Sequence, residues 1–217
     1  DTGSSWTNHG QLFVGSMDIG GNAGQGALLV TDGAQFTNHG IAWLGHGSGS
    51  TGQAVVSGGT WDNTSSLYVG NEGNGLLVIE DGGLVTATNA TIAAAAGSTG
   101  QVVANGNGIV WSNSGGLAIG GAGQAELTIG DGAIVIAQGA ITGAAFPTSS
   151  ATVTVNGVLA GLGGVTFNAG SHLSGAGTVS AGAAGTTTMN GTIAPGNSIG
   201  TLTIFGNYVQ NAGSTYE

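Results

Sequence analysis

Short apolar segments alternate with glycine-bounded polar turns along most of the chain. The clearest unit is Trp61 to Gly83, WDNTSSLYVGNEGNGLLVIEDGG, in which Ser66–Val69 and Leu76–Ile79 each end in a glycine turn. Segments of three to five residues are too short for stable helices, and their valine, isoleucine and aromatic content favours strands. The pattern therefore predicts many short strands joined by tight turns.

The unit repeats at a nearly fixed spacing. The glycine that follows the second apolar segment recurs once per unit, at Gly33, Gly58, Gly82, Gly106, Gly132 and Gly157. One such unit cannot bury its own apolar face, so it has to stack on its neighbours. We predict an all-β fold, a right-handed parallel β-helix of about 25 residues per coil and roughly eight coils.

The repeat predicts one solenoid over residues 1–217, with regular coils over 1–143 and smoother coils over 144–217. The spacing from Trp6 to Phe36 is one coil plus about five residues, which predicts an inserted loop near Ser16 to Gly20. The chain starts and stops within the pattern, so we expect it to be a piece of a longer protein.

Strand alternation assigns side chains to columns. One inward column is expected to contain Leu28, Ala54, Leu77, Val102, Leu127 and Val153. A second internal column is expected to stack the aromatic residues Trp6, Phe36, Trp61 and Trp111.

A column of the first apolar segments is expected to point outward and to carry Phe13, Trp43 and Tyr68, continuing as Ile92, Ala118 and Ile141. A solvent-facing aromatic stripe favours contact with sugar rings or with a flat partner surface. The alternative is that these rings cover one another or pack under the inserted loop.

Composition excludes several functions. The chain has 10 acidic residues and no lysine or arginine, giving a formal charge of −10. Nucleic-acid binding and attraction to anionic membranes both need basic side chains, and no segment suits direct membrane insertion. Cysteine is absent, so a disulfide or a thiolate metal site is excluded.

Two sets of polar residues also fall in columns. A structural asparagine ladder is predicted at the coil corners, where the amides satisfy backbone groups of the turns; it comprises Asn8, Asn38, Asn63 and Asn113. His9 and His39 are weak candidates for a metal site, but zinc needs three or four ligands and no carboxylate completes the pair. We therefore expect no metal and no cofactor, and we assign no role to His46 or His172.

A catalytic site is not expected. A polysaccharide lyase would use a basic residue, and a hydrolase would use two carboxylates that face one cleft. Neither arrangement is apparent, and no serine, histidine and aspartate set has a supporting context. The sequence therefore predicts that the protein is not an enzyme, with a polysaccharide-active enzyme as the least favoured function.

The last residues resemble a known family. GTIAPGNSIGTLTIFGNYVQNAGSTYE (191–217), and especially IAPGNSIGTLTI (193–204), is similar to the C-terminal end of autotransporter passenger domains, and the LxVGxxGxGxLxVxDGG form of the coils is similar to passenger repeats. The resemblance implies a right-handed β-helix on the surface of a Gram-negative bacterium, tethered to the outer membrane or released. It also implies a translocator barrel beyond Glu217.

Two non-enzymatic functions remain open. The chain could be an adhesin, or the stem of one, that binds a glycan or protein on a host or neighbouring cell. Alternatively, its partner is itself, and it self-associates to form aggregates, filaments or biofilm, since long ladders without lysine gatekeepers favour lateral contact.

Overall fold

A computed structural model describes residues 3–196 and 200–217, so residues 197–199 of the IAPGNSIGTLTI segment and the first two residues lie outside the description. Within the described residues every regular element is a β-strand. The 27 strands form three parallel sheets of nine strands each, and every third strand along the chain pairs in the same sheet. This is the stacked β-solenoid that the repeat predicts.

Each coil contributes one strand to each sheet, in the same order. The first sheet contains β1 (Ser5–Asn8), β4 (Gln35–Asn38), β7 (Thr60–Asn63), β10 (Leu84–Ala87), β13 (Val110–Asn113), β16 (Ile134–Ala137), β19 (Val158–Gly161), β22 (Thr178–Ser180) and β25 (Thr203–Phe205). The second contains β2 (Leu12–Val14), β5 (Ala42–Leu44), β8 (Leu67–Val69), β11 (Ala90–Ile92), β14 (Leu117–Ile119), β17 (Ile141–Gly143), β20 (Val165–Phe167), β23 (Thr186–Met189) and β26 (Asn207–Gln210). The third contains β3 (Gln25–Thr31), β6 (Thr51–Ser57), β9 (Asn74–Glu80), β12 (Thr99–Asn105), β15 (Gln124–Ile129), β18 (Ser150–Val155), β21 (Ser171–Gly175), β24 (Thr192–Pro195) and β27 (Thr215–Tyr216).

Coil length varies at the two ends of the solenoid. Ser5 pairs with Gln35 and Gln35 pairs with Thr60, so the first coil is longer than the second, and the excess lies in the loop between β2 and β3. This loop contains the predicted insertion. Toward the C-terminus Ile134 pairs with Val158 and Val158 pairs with Thr178, so the later of these two coils is the shorter. No helix able to cross a membrane is found among the described residues.

The core consists of the predicted columns. The inward column from Leu28 to Val153 is buried throughout, and its members pair with one another in consecutive strands. Trp6 pairs with Phe36 and Phe36 with Trp61, while Val85 separates Trp61 from Trp111. Trp61 and Trp111 are fully buried, whereas Trp6, in the first strand of its sheet, remains half exposed.

A column of very small residues lines the corner between the second and third sheets. Gly52, Gly75 and Gly100 pair in register, and Ala125 continues the column. A Cβ built on Gly75 would lie 2.0 Å from the backbone nitrogen of Gly70, because the second-sheet backbone passes directly beneath it. Glycine is needed here to let two backbone segments approach, and not to provide an unusual φ angle.

The turn that leaves the second sheet begins with a residue in the left-handed conformation. Gly15, Gly45, Gly70 and Gly120 occupy this position in four coils, with φ from 67° to 76°. Ala93 and Ala144 take the same position in two other coils, with φ of 55° and 47°. Two coils therefore lack the glycine that marks the end of this strand.

The alanines at positions 93 and 144, where other coils have glycine, explain an error in the predicted aromatic column. Tyr68 pairs with Thr91, and Ala118 pairs with both Thr91 and Thr142, so the continuation through Ile92 and Ile141 is wrong. Both isoleucines are fully buried. The outward column after Tyr68 is instead made mostly of threonine, and its members are Thr91, Ala118, Thr142, Thr166, Thr188 and Val209.

We expect Gly75→Ala to destabilise the fold by about 1–3 kcal/mol, because the methyl group would overlap the backbone of Gly70 and force it to shift. Gly10→Ala is the matched control, since its Cβ would meet nothing nearer than 3.9 Å. Denaturant unfolding followed by circular dichroism measures both. Equal midpoints for the two variants would contradict the close approach.

Candidate functional site

An aromatic ridge runs across the first three coils of the second sheet, exposed at Phe13 and half-buried at Trp43 and Tyr68. Phe13, Trp43 and Tyr68 are the middle residues of the three-residue strands β2, β5 and β8, whose outer residues are buried. A strand with both ends facing inward places its middle side chain outside. The structure therefore brings the three predicted aromatic residues together on the solvent side, and we call them the aromatic ridge.

The rings of the ridge stack face to face along the solenoid axis. The centroids of Phe13 and Trp43 lie 4.7 Å apart at an interplanar angle of 12°, and those of Trp43 and Tyr68 lie 6.2 Å apart at 13°. Both faces of Trp43 are thus covered by neighbouring rings. Phe13 belongs to the first described strand of its sheet and is 45% exposed. The ridge consequently offers ring edges and the outer face of Phe13 to a partner.

His46 lies against the ridge, although sequence analysis assigned it no role. Its ring is 4.9 Å from that of Phe13, edge to face, and 5.0 Å from that of Trp43. The side-chain amide nitrogen of Asn71 lies 3.2 Å from His46 Nδ1 and 3.2 Å from its backbone oxygen, and it fixes the orientation of the imidazole. The sequence contained one indication of this placement, because His46 comes two residues after Leu44, the inward residue that ends β5.

The inserted loop folds toward the same place. The side chain of Met17 lies so close over Gly47 that a Cβ on this glycine would be 2.4 Å from Met17 Cγ. Met17 is still 41% exposed, and Ile19 at the tip of the loop is fully exposed. The insertion therefore places the Met17 side chain in the same groove as Phe13 and leaves the Phe13 ring exposed.

These elements enclose a groove of about 450 Å³ beside the ridge. Three consecutive coils contribute to it, through the inserted loop, the turn after β5 and the turn after β8. It is lined by Phe13, Ser16, Met17, His46, Gly47 and Glu72. An apolar floor with one carboxylate at its wall is a combination that suits an amphipathic group.

Asp18 holds the inserted loop in shape. Its Oδ1 accepts hydrogen bonds from the backbone nitrogens of Gly20 (2.8 Å) and Asn22 (2.9 Å), and its Oδ2 accepts one from the Asn22 side chain (2.9 Å). The side-chain bond from Asn22, followed by the backbone bonds, lowers the pKa of the Asp18 carboxyl below its usual value.

Three of the four predicted ladder asparagines form a continuous hydrogen-bonded chain. Asn8 Nδ2 donates to Asn38 Oδ1 (2.6 Å), and Asn38 Nδ2 donates to Asn63 Oδ1 (2.7 Å). Each amide also donates to a backbone oxygen of its own turn, such as Gly40 O for Asn38. The ladder thus ties the corners of the first three coils together.

Asn113 lies in the same column but outside this chain of bonds. It pairs with Ala87 on one side and Ala137 on the other, and neither offers a side-chain amide. Both polar atoms of its buried side chain lack a hydrogen-bond partner within the described residues. A further ladder that sequence analysis missed joins Asn211 to Asn190 (2.6 Å) and Asn190 to Asn168 (3.4 Å).

The structure also brings the weak metal candidates together. The rings of His9 and His39 are stacked with centroids 5.0 Å apart. Among residues 3–196 and 200–217, however, no group of three or more histidine, aspartate or glutamate side chains could hold a metal ion. The contact that His39 Nδ1 makes is with the hydroxyl of Thr64, at 3.4 Å.

Comparison with known proteins gives one partial match. The chain is 45% identical over 58 residues to the uncharacterized lipoprotein YdeK of Escherichia coli (strain K12). The match covers 24% of this chain but only 4% of the lipoprotein, which is far longer. No family model matches the chain, and no solved structure matches it.

We expect Asn38→Ala to destabilise the fold by about 1–3 kcal/mol, because it breaks the ladder in the middle and leaves the buried Asn63 oxygen without its donor. Asn113→Ala removes an amide from the same column that makes no bond, so it should be neutral within about 1 kcal/mol or stabilising. Urea unfolding of both variants compares them. If Asn113→Ala lowers the free energy of unfolding more than Asn38→Ala does, the hydrogen bonds of the ladder are not what stabilises this corner.

The inserted loop should lose order in acid. Because the pKa of Asp18 is lowered in the folded protein, its contribution is complete above the ordinary aspartate value of about 4 and disappears as the pH falls through the lower folded-state pKa. The amide NMR shifts of Gly20 and Asn22 should therefore titrate with a midpoint below about 4. In Asp18→Asn this transition should be absent, and a midpoint above the ordinary value would refute the assignment.

Proposed function

We propose that this chain is a non-enzymatic segment of a bacterial surface protein that presents its aromatic ridge to a partner, as an adhesive passenger domain of the autotransporter type would. The observation that carries the proposal is the ridge itself: three large aromatic side chains on the outer side of a sheet whose next outward residues in this column, from Thr91 to Thr188, are small. Exposed aromatic groups in a cluster are typical of binding surfaces.

Other features support display of a binding surface. The outward column beyond the ridge is mainly threonine, so in this column the large aromatic side chains are concentrated in the first three coils. The name of the similar Escherichia coli protein, a lipoprotein, supports a location in the cell envelope. A rigid rod of stacked coils suits the display of a site away from the membrane.

The stacked geometry favours a protein partner over a glycan. Sugar rings bind aromatic residues through the ring face, but the faces of Trp43 are already occupied by Phe13 and Tyr68. Ring edges and the neighbouring side chain of Met17 suit the uneven apolar surface of a protein. We therefore propose a protein on a host cell or a neighbouring bacterial cell as the partner.

Replacing Phe13, Trp43 and Tyr68 together by alanine should reduce adhesion of cells that display the chain by about tenfold or more, as loss of aromatic anchors does in other interfaces. The matched control replaces Thr142, Thr166 and Thr188, which lie in the same outward column. Cell-binding counts measure adhesion, and circular dichroism checks that both variants fold.

If the triple alanine variant folds and adheres like the control, the ridge is not the binding site. Light scattering of the purified variants measures self-association. If self-association falls while binding to other cells is unchanged, the ridge joins copies of this chain and the adhesive proposal is wrong.

A further inference from the structure

The groove beside the aromatic ridge combines an apolar floor with a carboxylate. Met17 and Phe13 supply the floor, and Glu72 stands in the turn after β8 at the wall. We propose that this groove takes an arginine side chain from a basic segment of a partner protein, with Glu72 pairing its guanidinium and Phe13 and Met17 covering its aliphatic stem. This inference rests on the proposed function and names the chemistry of the partner.

Charge favours a cationic occupant. The chain carries a formal charge of −10 and has no lysine or arginine, so Glu72 has no basic side chain of this chain with which to pair. Glu72 is exposed, and its carboxylate is therefore available to an external cation. A net negative rod also attracts basic segments over a distance and raises the rate of encounter.

The apolar lining favours arginine over lysine. A guanidinium is planar, binds a carboxylate through two parallel hydrogen bonds and stacks on aromatic rings, whereas an ammonium is a strongly hydrated point charge. Phe13 lines the groove and is 45% exposed, so its ring is available to the aliphatic stem of the arginine. The thioether side chain of Met17 adapts readily to an aliphatic stem.

His46 forms one side of the groove. The amide nitrogen of Asn71 lies 3.2 Å from His46 Nδ1 and donates to the His46 backbone oxygen, which holds the imidazole in place. The imidazole lies next to Phe13, with 4.9 Å between the ring centroids. Glu72 is the carboxylate among the residues that line the groove.

The test uses two blocked pentapeptides, one with a central arginine between leucines and one with citrulline, its neutral isostere, in that place. NMR titration of the full chain should show the arginine peptide shifting the signals of Phe13, Met17 and the Trp43 indole. The citrulline peptide should bind about tenfold more weakly, as expected for the loss of a charge-assisted pair.

Glu72→Gln should weaken binding of the arginine peptide by about tenfold and leave that of the citrulline peptide unchanged. The matched control is Glu80→Gln, which removes the same charge from the same coil but at the far end of β9. It should change the affinity less than about twofold.

Equal weakening by Glu72→Gln and Glu80→Gln would overturn the proposal, because it would show general attraction to an acidic rod. Equal binding of the two peptides would overturn it as well, as would displacement of the arginine peptide by a neutral oligosaccharide. In each of these cases the proposed function would still stand if the triple alanine variant of the ridge loses adhesion. If Glu72→Gln weakens binding of the arginine peptide while the triple alanine variant still adheres, the arginine site stands and the adhesive role of the ridge fails.

Discussion

In-register parallel pairing brings each side chain directly over its counterpart in the next coil, at about 4.8 Å. A column is stable only if its members interact favourably at that distance. Aliphatic groups pack against one another inside the solenoid, amides form hydrogen bonds at its corners, and aromatic rings stack on its surface. The same pairing forces Gly52, Gly75 and Gly100 into one column, because the chain turns so tightly there that two backbones touch. Core, corners and surface ridge are therefore three results of one geometric constraint.

This constraint explains why much of the fold could be predicted from the sequence. Alternation along a strand and repetition between coils both leave periodic signals, and together they predicted the buried columns correctly except at Trp6, which lies in the first strand of its sheet and is half exposed. The prediction failed where a marker residue was replaced. Ala93 takes the left-handed position that glycine holds in other coils, so the end of β11 was misplaced by one residue and Ile92 was assigned to the wrong face. The ladder through Asn190 was missed because the C-terminal coils are shorter than the coils that established the period.

The candidate site likewise contains residues that the repeat predicts and residues that it does not. Phe13, Trp43 and Tyr68 could be found because a repeat places them. Met17 and Glu72 could not, since neither lies in a regular column and their approach depends on how an inserted loop folds. The conformation of this loop is set locally by the hydrogen bonds that Asp18 accepts. It also depends on Gly47, because the Met17 side chain occupies the space that a side chain at this position would take. Interruptions of a repeat carry no periodic signal, and the inserted loop that brings Met17 to the groove is such an interruption.

Stacking also governs how an acidic chain without basic residues remains folded. Two carboxylates in adjacent coils would repel at about 4.8 Å, and the sequence avoids this by placing neutral donors next to them. Ser57 donates to Asp81, Thr86 to Asp62 and Gln101 to Glu126, each from the neighbouring coil. Hydrogen bonds from neutral groups satisfy a carboxylate without cancelling its charge. These carboxylates are thus hydrogen-bonded without any basic side chain of this chain, and the surface keeps a net negative charge that salt ions or a basic partner can screen.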